Sequence, residues 1–299
     1  MGNPKLTAVP SARSRLPVLQ IRLALILGTL LFASLMGVVS TVAWISNKPA
    51  PVDLRGAVAY GKSIAETAAH EWLSGKVISV PMLSNVDLPN SSKPLKFSEL
   101  AWEGFTRESL PTGLIYERHT FLTTIESSDE IGYKPIKVLV VVAFPRGQDA
   151  YLAALPSFSP VTQVPVSKVF DYSDLETENL PSNVDDQIRK WASAYAMDER
   201  ETLKLLTGDS SDGAEYAGLG EFNVSNVKVL SAIPAGDTGY GSDTWLVRVT
   251  MTLVSDYGFK TNSEMDITVT EAGSGLPRIV GWSGAGAGLR GGNDTRIKQ

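Results

Sequence analysis

No charged side chain occurs between residues 23 and 47, and most of those twenty-five positions are Leu, Ile, Val, Ala, Phe or Gly. At about 1.5 Å per residue such a run reaches roughly 37 Å as a helix, enough to cross a ~30 Å hydrocarbon core with some tilt. A helix is the form of a lone segment that closes its own backbone hydrogen bonds in lipid. The run therefore predicts one transmembrane helix over 23–47, with Trp44 as an interfacial aromatic and Arg22 and Lys48 marking its two edges. The tail over 1–22 carries Lys5, Arg13, Arg15 and Arg22 and no acidic residue. That bias predicts a cytoplasmic N-terminus and an exported C-terminal region at the cell membrane. A signal peptide cut after the small residues Thr41 and Ala43 is the alternative; signal h-regions of about 7–15 residues are shorter than this run.

The charge left outside the membrane narrows the partners. The formal net charge of the whole chain is -5, and removing the four tail cations leaves -9 downstream. Phosphate backbones are bound by clustered Lys and Arg, so direct nucleic-acid binding is not expected of that region. The chain has no cysteine, which excludes disulfides, thiolate nucleophiles and zinc sites built on sulfur. With His70 and His119 as its two histidines, it is also a poor source of a multi-histidine metal site.

Beyond a proline linker over 48–53, the hydrophobic pattern changes from period 3.6 to period 2 and then repeats that order. Ile64, Ala68 and Trp72 recur at a spacing of four beside Ala65, Ala69 and Leu73, which predicts a helix over 54–74 closed by Gly75. Strands are predicted over 121–125 and 136–144, joined as a hairpin, and an extended edge piece over 161–169. The acidic stretch 171–181 reads as a linker. A second helix is predicted from 185, with Ile188, Trp191, Ala192 and Tyr195 on one face. Asp198 and Glu201 are spaced as a capping box for a short helix ended by Gly208. Strands follow over 224–233, 245–254, 259–270 and 278–282. The plan is α+β, with helices packed on one face of curved antiparallel sheets. The expected layout is a tail 1–22, anchor 23–47, linker 48–53, first module 54–169, linker 170–184, second module 185–283 and a flexible end 284–299.

Several motifs match known chemistry. Gly56 to Ser63, ending Gly61-Lys62-Ser63, fits the nucleotide-binding G-x-x-x-x-G-K-[ST] pattern. That loop needs a buried strand before it, and here a proline linker precedes it, so a chance match at a helix start is the expectation. Gly286 to Gly291 fits G-x-G-x-x-G but leaves eight residues for the helix that a dinucleotide fold requires. Gly281-Trp282-Ser283 resembles a nucleophile elbow, with Ala285 in place of the second glycine and no His downstream. Carboxylates at Asp185, Asp186, Asp198, Glu199 and Glu201 suit helix starts. Three N-x-[ST] sites, at Asn90, Asn223 and Asn293, matter where the host glycosylates.

The anchor with its proline linker, the stretch Ile64 to Ser74, Tyr151 to Pro156, Trp191 to Tyr195 and the strand through Ile279 and Trp282 together resemble the TcpC family of Gram-positive conjugal-transfer proteins. The resemblance covers most of the chain, while residues 80–118 do not contribute to it. It implies two cystatin-like or nuclear transport factor 2-like domains and a non-enzymatic scaffold subunit of a conjugative type IV secretion apparatus. It also implies self-association and contacts with other membrane components of that apparatus. No catalytic, cofactor or metal residue is carried over. The alternative is an envelope-anchored small-molecule-binding protein or enzyme, using the cavity of a cone-shaped α+β domain.

Overall fold

The structure is a computed structural model that describes residues 59–82, 93–110, 113–127, 132–162, 178–235 and 243–285. The apolar run 23–47, its flanks Arg22, Trp44 and Lys48, and the glycine-rich stretch from Gly286 lie outside these residues. Among the described residues, no helix is long and apolar enough to cross a membrane. All of them belong to one compact unit, Gly56–Gln299.

The first half opens with α1, Lys62–Leu73. Its buried residues are Ala65, Ala68, Ala69, Trp72 and Leu73, the stripe that the spacing of three and four predicts. Three alanines let the helix lie close to the sheet, and Trp72 fills the space at its far end. Gly75 follows the C-cap Ser74 with φ +66°, a left-handed conformation that glycine adopts without steric cost. The helix starts at Lys62 rather than at 54: Ala59 to Gly61 are not helical, and 54–58 lie outside the described residues.

Under α1 runs a sheet of β1 (Ala101–Ser109), β2 (Ile115–Glu126), β3 (Tyr133–Phe144), β4 (Tyr151–Leu152) and β5 (Ser157–Ser159). Its order is β1-β2-β3-β4, with β5 also on β3, and every pair is antiparallel. The hairpin of β2 and β3 holds register from Ile115↔Phe144 to Glu126↔Tyr133. Phe121, Ile125, Val138, Val140 and Val142 turn inward to the core shared with α1. Tyr116, Val141 and Ala143 turn the other way and form a smaller cluster with Ala153. The period-2 alternation thus leaves β3 apolar on both faces, which is why it reads as an unbroken apolar run. Of the extended piece expected over 161–169, Val161 and Thr162 form a turn, and the remainder lies outside the described residues.

In the second half α2 (Ser182–Met197) and α3 (Arg200–Thr207) precede a four-stranded antiparallel sheet. Its strands are β6 (Asn223–Pro234), β7 (Thr244–Val254), β8 (Lys260–Thr270) and β9 (Arg278–Gly284), in sequence order. Pro181 stands at the N-cap of α2, so the helix begins three residues before the expected 185. Val184, Ile188, Trp191, Ala192 and Tyr195 share one buried core with Val247, Val249, Met251, Met265 and Ile267 of the sheet. The capping box expected at Asp198 does not form. Asp198 is the left-handed C-cap of α2 (φ +56°), and its carboxylate accepts the Gly218 N–H at 2.6 Å and the Arg200 guanidinium at 3.3 Å, so it caps no backbone N–H of α3. Glu199 caps α3 without a side-chain hydrogen bond.

Among the described residues one continuous core runs through both sheets and the three helices. Phe158 on β5 stacks on Phe222 and touches Trp72, with ring centroids 4.9 and 4.5 Å apart. Polar ties cross the same seam. The Trp72 indole N–H donates to the Asn262 carbonyl (2.9 Å), the Leu155 N–H to the Glu264 carboxylate (3.1 Å), and the Tyr195 hydroxyl to the Phe158 carbonyl (3.2 Å). At one margin the Ser127 hydroxyl donates to Glu221 (2.7 Å), and Tyr257 donates to the Ser127 carbonyl (2.6 Å). The 54–169 and 185–283 segments therefore each supply a sheet to shared packing.

Candidate functional site

A strand that faces a core should place apolar side chains at every second residue. β2 does so at Phe121 and Ile125, but the same face continues to Glu117 and His119, and both are fully buried. An isolated carboxylate there would cost several kcal/mol of desolvation, so its partners decide what it does. Arg107, on the neighbouring β1, reaches it with Nε at 3.0 Å and with Nη2. The backbone N–H of Gly61, at the start of α1, donates to Glu117 Oε2 at 2.7 Å. This bond supplies the helix cap that the sequence lacks, since Gly61 has no side chain to cap with and the first turn carries no acidic residue.

Aromatic rings and cations surround the pair. The Arg107 guanidinium lies 5.1 Å from the Tyr60 ring and 5.4 Å from Phe105, and the Lys62 ammonium sits 4.7 Å over Trp102. His119 stacks on Phe105 at 5.8 Å and touches Trp102 at 6.4 Å. Its Nε2 lies 3.3 Å from Glu117 Oε2, yet neither ring nitrogen makes a hydrogen bond. Burial pushes the imidazole down to about 4; Glu117 opposes that shift, while Arg107 and Lys62 reinforce it. His119 is thus neutral at pH 7. Space is tight: a Cβ on Gly61 would stand 3.0 Å from His119 Nε2, 3.1 Å from Glu117 Oε2 and 3.1 Å from a Phe144 ring carbon. A carboxylate beside a neutral imidazole is the material of general acid–base chemistry, but here Arg107 and the Gly61 N–H occupy the carboxylate. The cluster works as a clamp between α1 and the β1–β2 pair.

The clamp also disposes of the phosphate-binding match. The Gly61 N–H, which in a phosphate loop would face an anion, faces the Glu117 carboxylate, and Lys62 leans on Trp102. Phosphate would meet like charge at that point. Gly281, Trp282 and Ser283 lie inside β9, with the Ser283 hydroxyl on the Gly284 carbonyl at 3.3 Å, not on a turn into a helix. Gly286 to Gly291 lies outside the described residues, as do Asn90 and Asn293; Asn223 is exposed on β6. His70 is exposed on α1, edge-on to Phe97 at 5.6 Å. Asp185 pairs with Arg189 one turn on, at 2.8 Å. Among the described residues no three His, Asp or Glu side chains stand close enough to hold a metal ion.

Comparison with known proteins yields little beyond this geometry. No family model matches the chain, and no curated protein does. A solved structure described as an "Ntf2 like protein involved in plasmid conjugation" is similar at 12% identity and a TM-score of 0.31, covering 66% of this chain and 79% of its own.

Sequence reading singled out His119 and missed Glu117 and Arg107. The available signal was positional: Glu117 and His119 fall on the apolar register of Phe121 and Ile125, where an unpartnered charge is not tolerated. Their partner came from residues 80–118, which show no clear periodicity.

Proposed function

We propose that this chain is a membrane-anchored assembly subunit of a conjugative DNA-transfer apparatus of the type IV secretion class, acting through protein–protein contacts of its exported region. The observation that carries this reading is that the core face of each sheet is covered by helix and aromatic side chains. In the first half α1 lays Trp72 and its alanines against the sheet. In the second half Trp191, Tyr195, Tyr216 and Trp282 pack on one another, with centroids 5.1 to 6.3 Å apart, where a binding cone would keep its cavity. Such a filled pair of modules offers its surface rather than an interior. The apolar run 23–47, the basic tail and the TcpC-like residue pattern support the same reading, with two nuclear transport factor 2-like domains outside the cell membrane and one helix in the lipid. The competing reading, an envelope-anchored enzyme or small-molecule binder, draws support from the Glu117–His119 pair, but that carboxylate already has protein partners.

The test is an in-frame deletion in a donor strain, complemented with the full chain or with residues 48–299 alone. Transfer frequency should collapse on deletion and return with the full chain, not with the anchorless one. Unchanged transfer in the deletion strain would remove the proposal.

A further inference from the structure

Trp102 and Phe105 are three residues apart on β1, a spacing that puts side chains on opposite faces of a regular strand. Here they share one face. The register shift between Trp102 and Gly104 sets Trp102 opposite Phe121 and Phe105 opposite His119, so both lie on the α1 side of the sheet. Gly104 makes this bulge at φ +140°, a value that suits glycine. The two rings then stack 6.1 Å apart and 18° from parallel. They reach the surface at the head of α1: Trp102 is 36% exposed, and Tyr60, two residues before the helix, is 68% exposed. The cations of this corner are Lys62, over Trp102, and Arg107, beside Tyr60 and Phe105. Arg107 is held by the buried Glu117, and the exposed Glu103 is paired with Lys137 at 3.4 Å. Lys62 has no carboxylate partner among the described residues.

We propose that this corner rests on the headgroups of the membrane that anchors the chain, with the Tyr60 and Trp102 rings at the lipid–water boundary and Lys62 on lipid phosphate. Rings with a polar tip and long cationic side chains are the residues that favour that boundary. The place of the corner in the chain supports the same occupant. The expected anchor ends at 47 and the described chain resumes at Ala59, so eleven residues, 48–58, lie between them. Fully extended they reach at most about 40 Å, which keeps the head of α1 close to lipid at a high effective concentration. Two rings and one unpaired cation are a weak anchor for a free protein, and a tethered one needs no more. A nucleic-acid strand would need cations along its whole track, and here Glu117 already answers one of the two. The tether argument rests on the anchored reading above; the bulge and the paired rings do not.

Because the chain has no cysteine, Ser63→Cys, exposed next to Lys62, can carry a single environment-sensitive fluorophore in the full chain. The protein is placed in vesicles of phosphatidylcholine and phosphatidylglycerol that include a lipid with a nitroxide high on its acyl chain. Val77→Cys is the control, 83% exposed and past the other end of α1. The helix separates the two labels by about 18 Å, so quenching at position 63 should be at least about threefold stronger than at 77. Adding Lys62→Glu and Trp102→Ser together should bring the two labels level. Lys62→Glu alone should lower quenching at 63 as well, which keeps the test open if the double variant does not fold. Equal quenching at 63 and 77 in the parent, or quenching at 63 that ignores both substitutions, overturns the proposal. So does a label at 63 that is shielded in native membranes and not in vesicles, since a protein then covers the corner. If the chain floats with the vesicles and the labels are equal, the docking alone fails; a chain that does not float sinks the anchored reading too.

Discussion

At the scale of residues, His119 is the side chain whose environment departs most from its chemistry. It is fully buried, both ring nitrogens lack hydrogen bonds, and burial holds its pKa at about 4, below the ordinary value of about 6.5. Between those two values the unfolded chain binds a proton that the native chain refuses. Stability from this residue is therefore complete above about pH 6.5, falls as pH drops toward about 4, and levels off below, a loss of the order of 3 kcal/mol. Urea melts at pH 7 and pH 4.5 should show His119→Phe losing less stability than the parent over that interval. Equal losses in the two proteins would mean that the imidazole titrates freely. Sequence alone could say that His119 is a poor candidate for a multi-histidine metal site, because the chain has two histidines. It could not show that Arg107 and Gly61 converge on Glu117, because contacts 10 and 56 residues apart leave no local trace.

Elements with a strong period were legible, and those set by tertiary contacts were not. The stripe of α1, the stripe of α2 and the apolar run of β3 declared themselves. β1 did not: Ala101–Ser109 is an edge strand, mostly exposed or half-exposed, with a register shift at Trp102/Gly104 that breaks any alternation. The role of Asp198 was misread for a related reason. Its spacing to Glu201 suits a cap, but the Gly218 N–H, twenty residues away, and the Arg200 guanidinium take the two carboxylate oxygens. Helix α1 is also tied to the far sheet by the Trp72 indole bond to the Asn262 carbonyl, whereas the indole N–H of Trp191 on α2 has no hydrogen-bond partner. Replacing each tryptophan by phenylalanine should separate these cases: Trp72→Phe should cost about 1 kcal/mol more than Trp191→Phe in denaturant melts, the worth of one net hydrogen bond. Costs in the reverse order would show that volume, not the bond, dominates at Trp72.

Across the whole molecule, the sequence conveyed two helix-then-sheet halves but not that they share a core. Nothing in a 3.6 or 2 period tells a chain's sheets whether to pack on each other, and the residues that make the seam, Phe158, Phe222 and Trp72, look like any core aromatics. With that seam apolar and continuous, the region after residue 56 should unfold in a single calorimetric transition, with the van't Hoff and calorimetric enthalpies equal. Two resolved transitions would show that the halves are thermodynamically separate. The seam has a genetic consequence as well. A gene truncated after the first half would encode a product whose Phe158 ring and Trp72 indole face water where Phe222 and Asn262 should be. Such a fragment is fodder for proteases rather than a folded half, so nonsense alleles on either side of the midpoint should behave alike, as simple nulls.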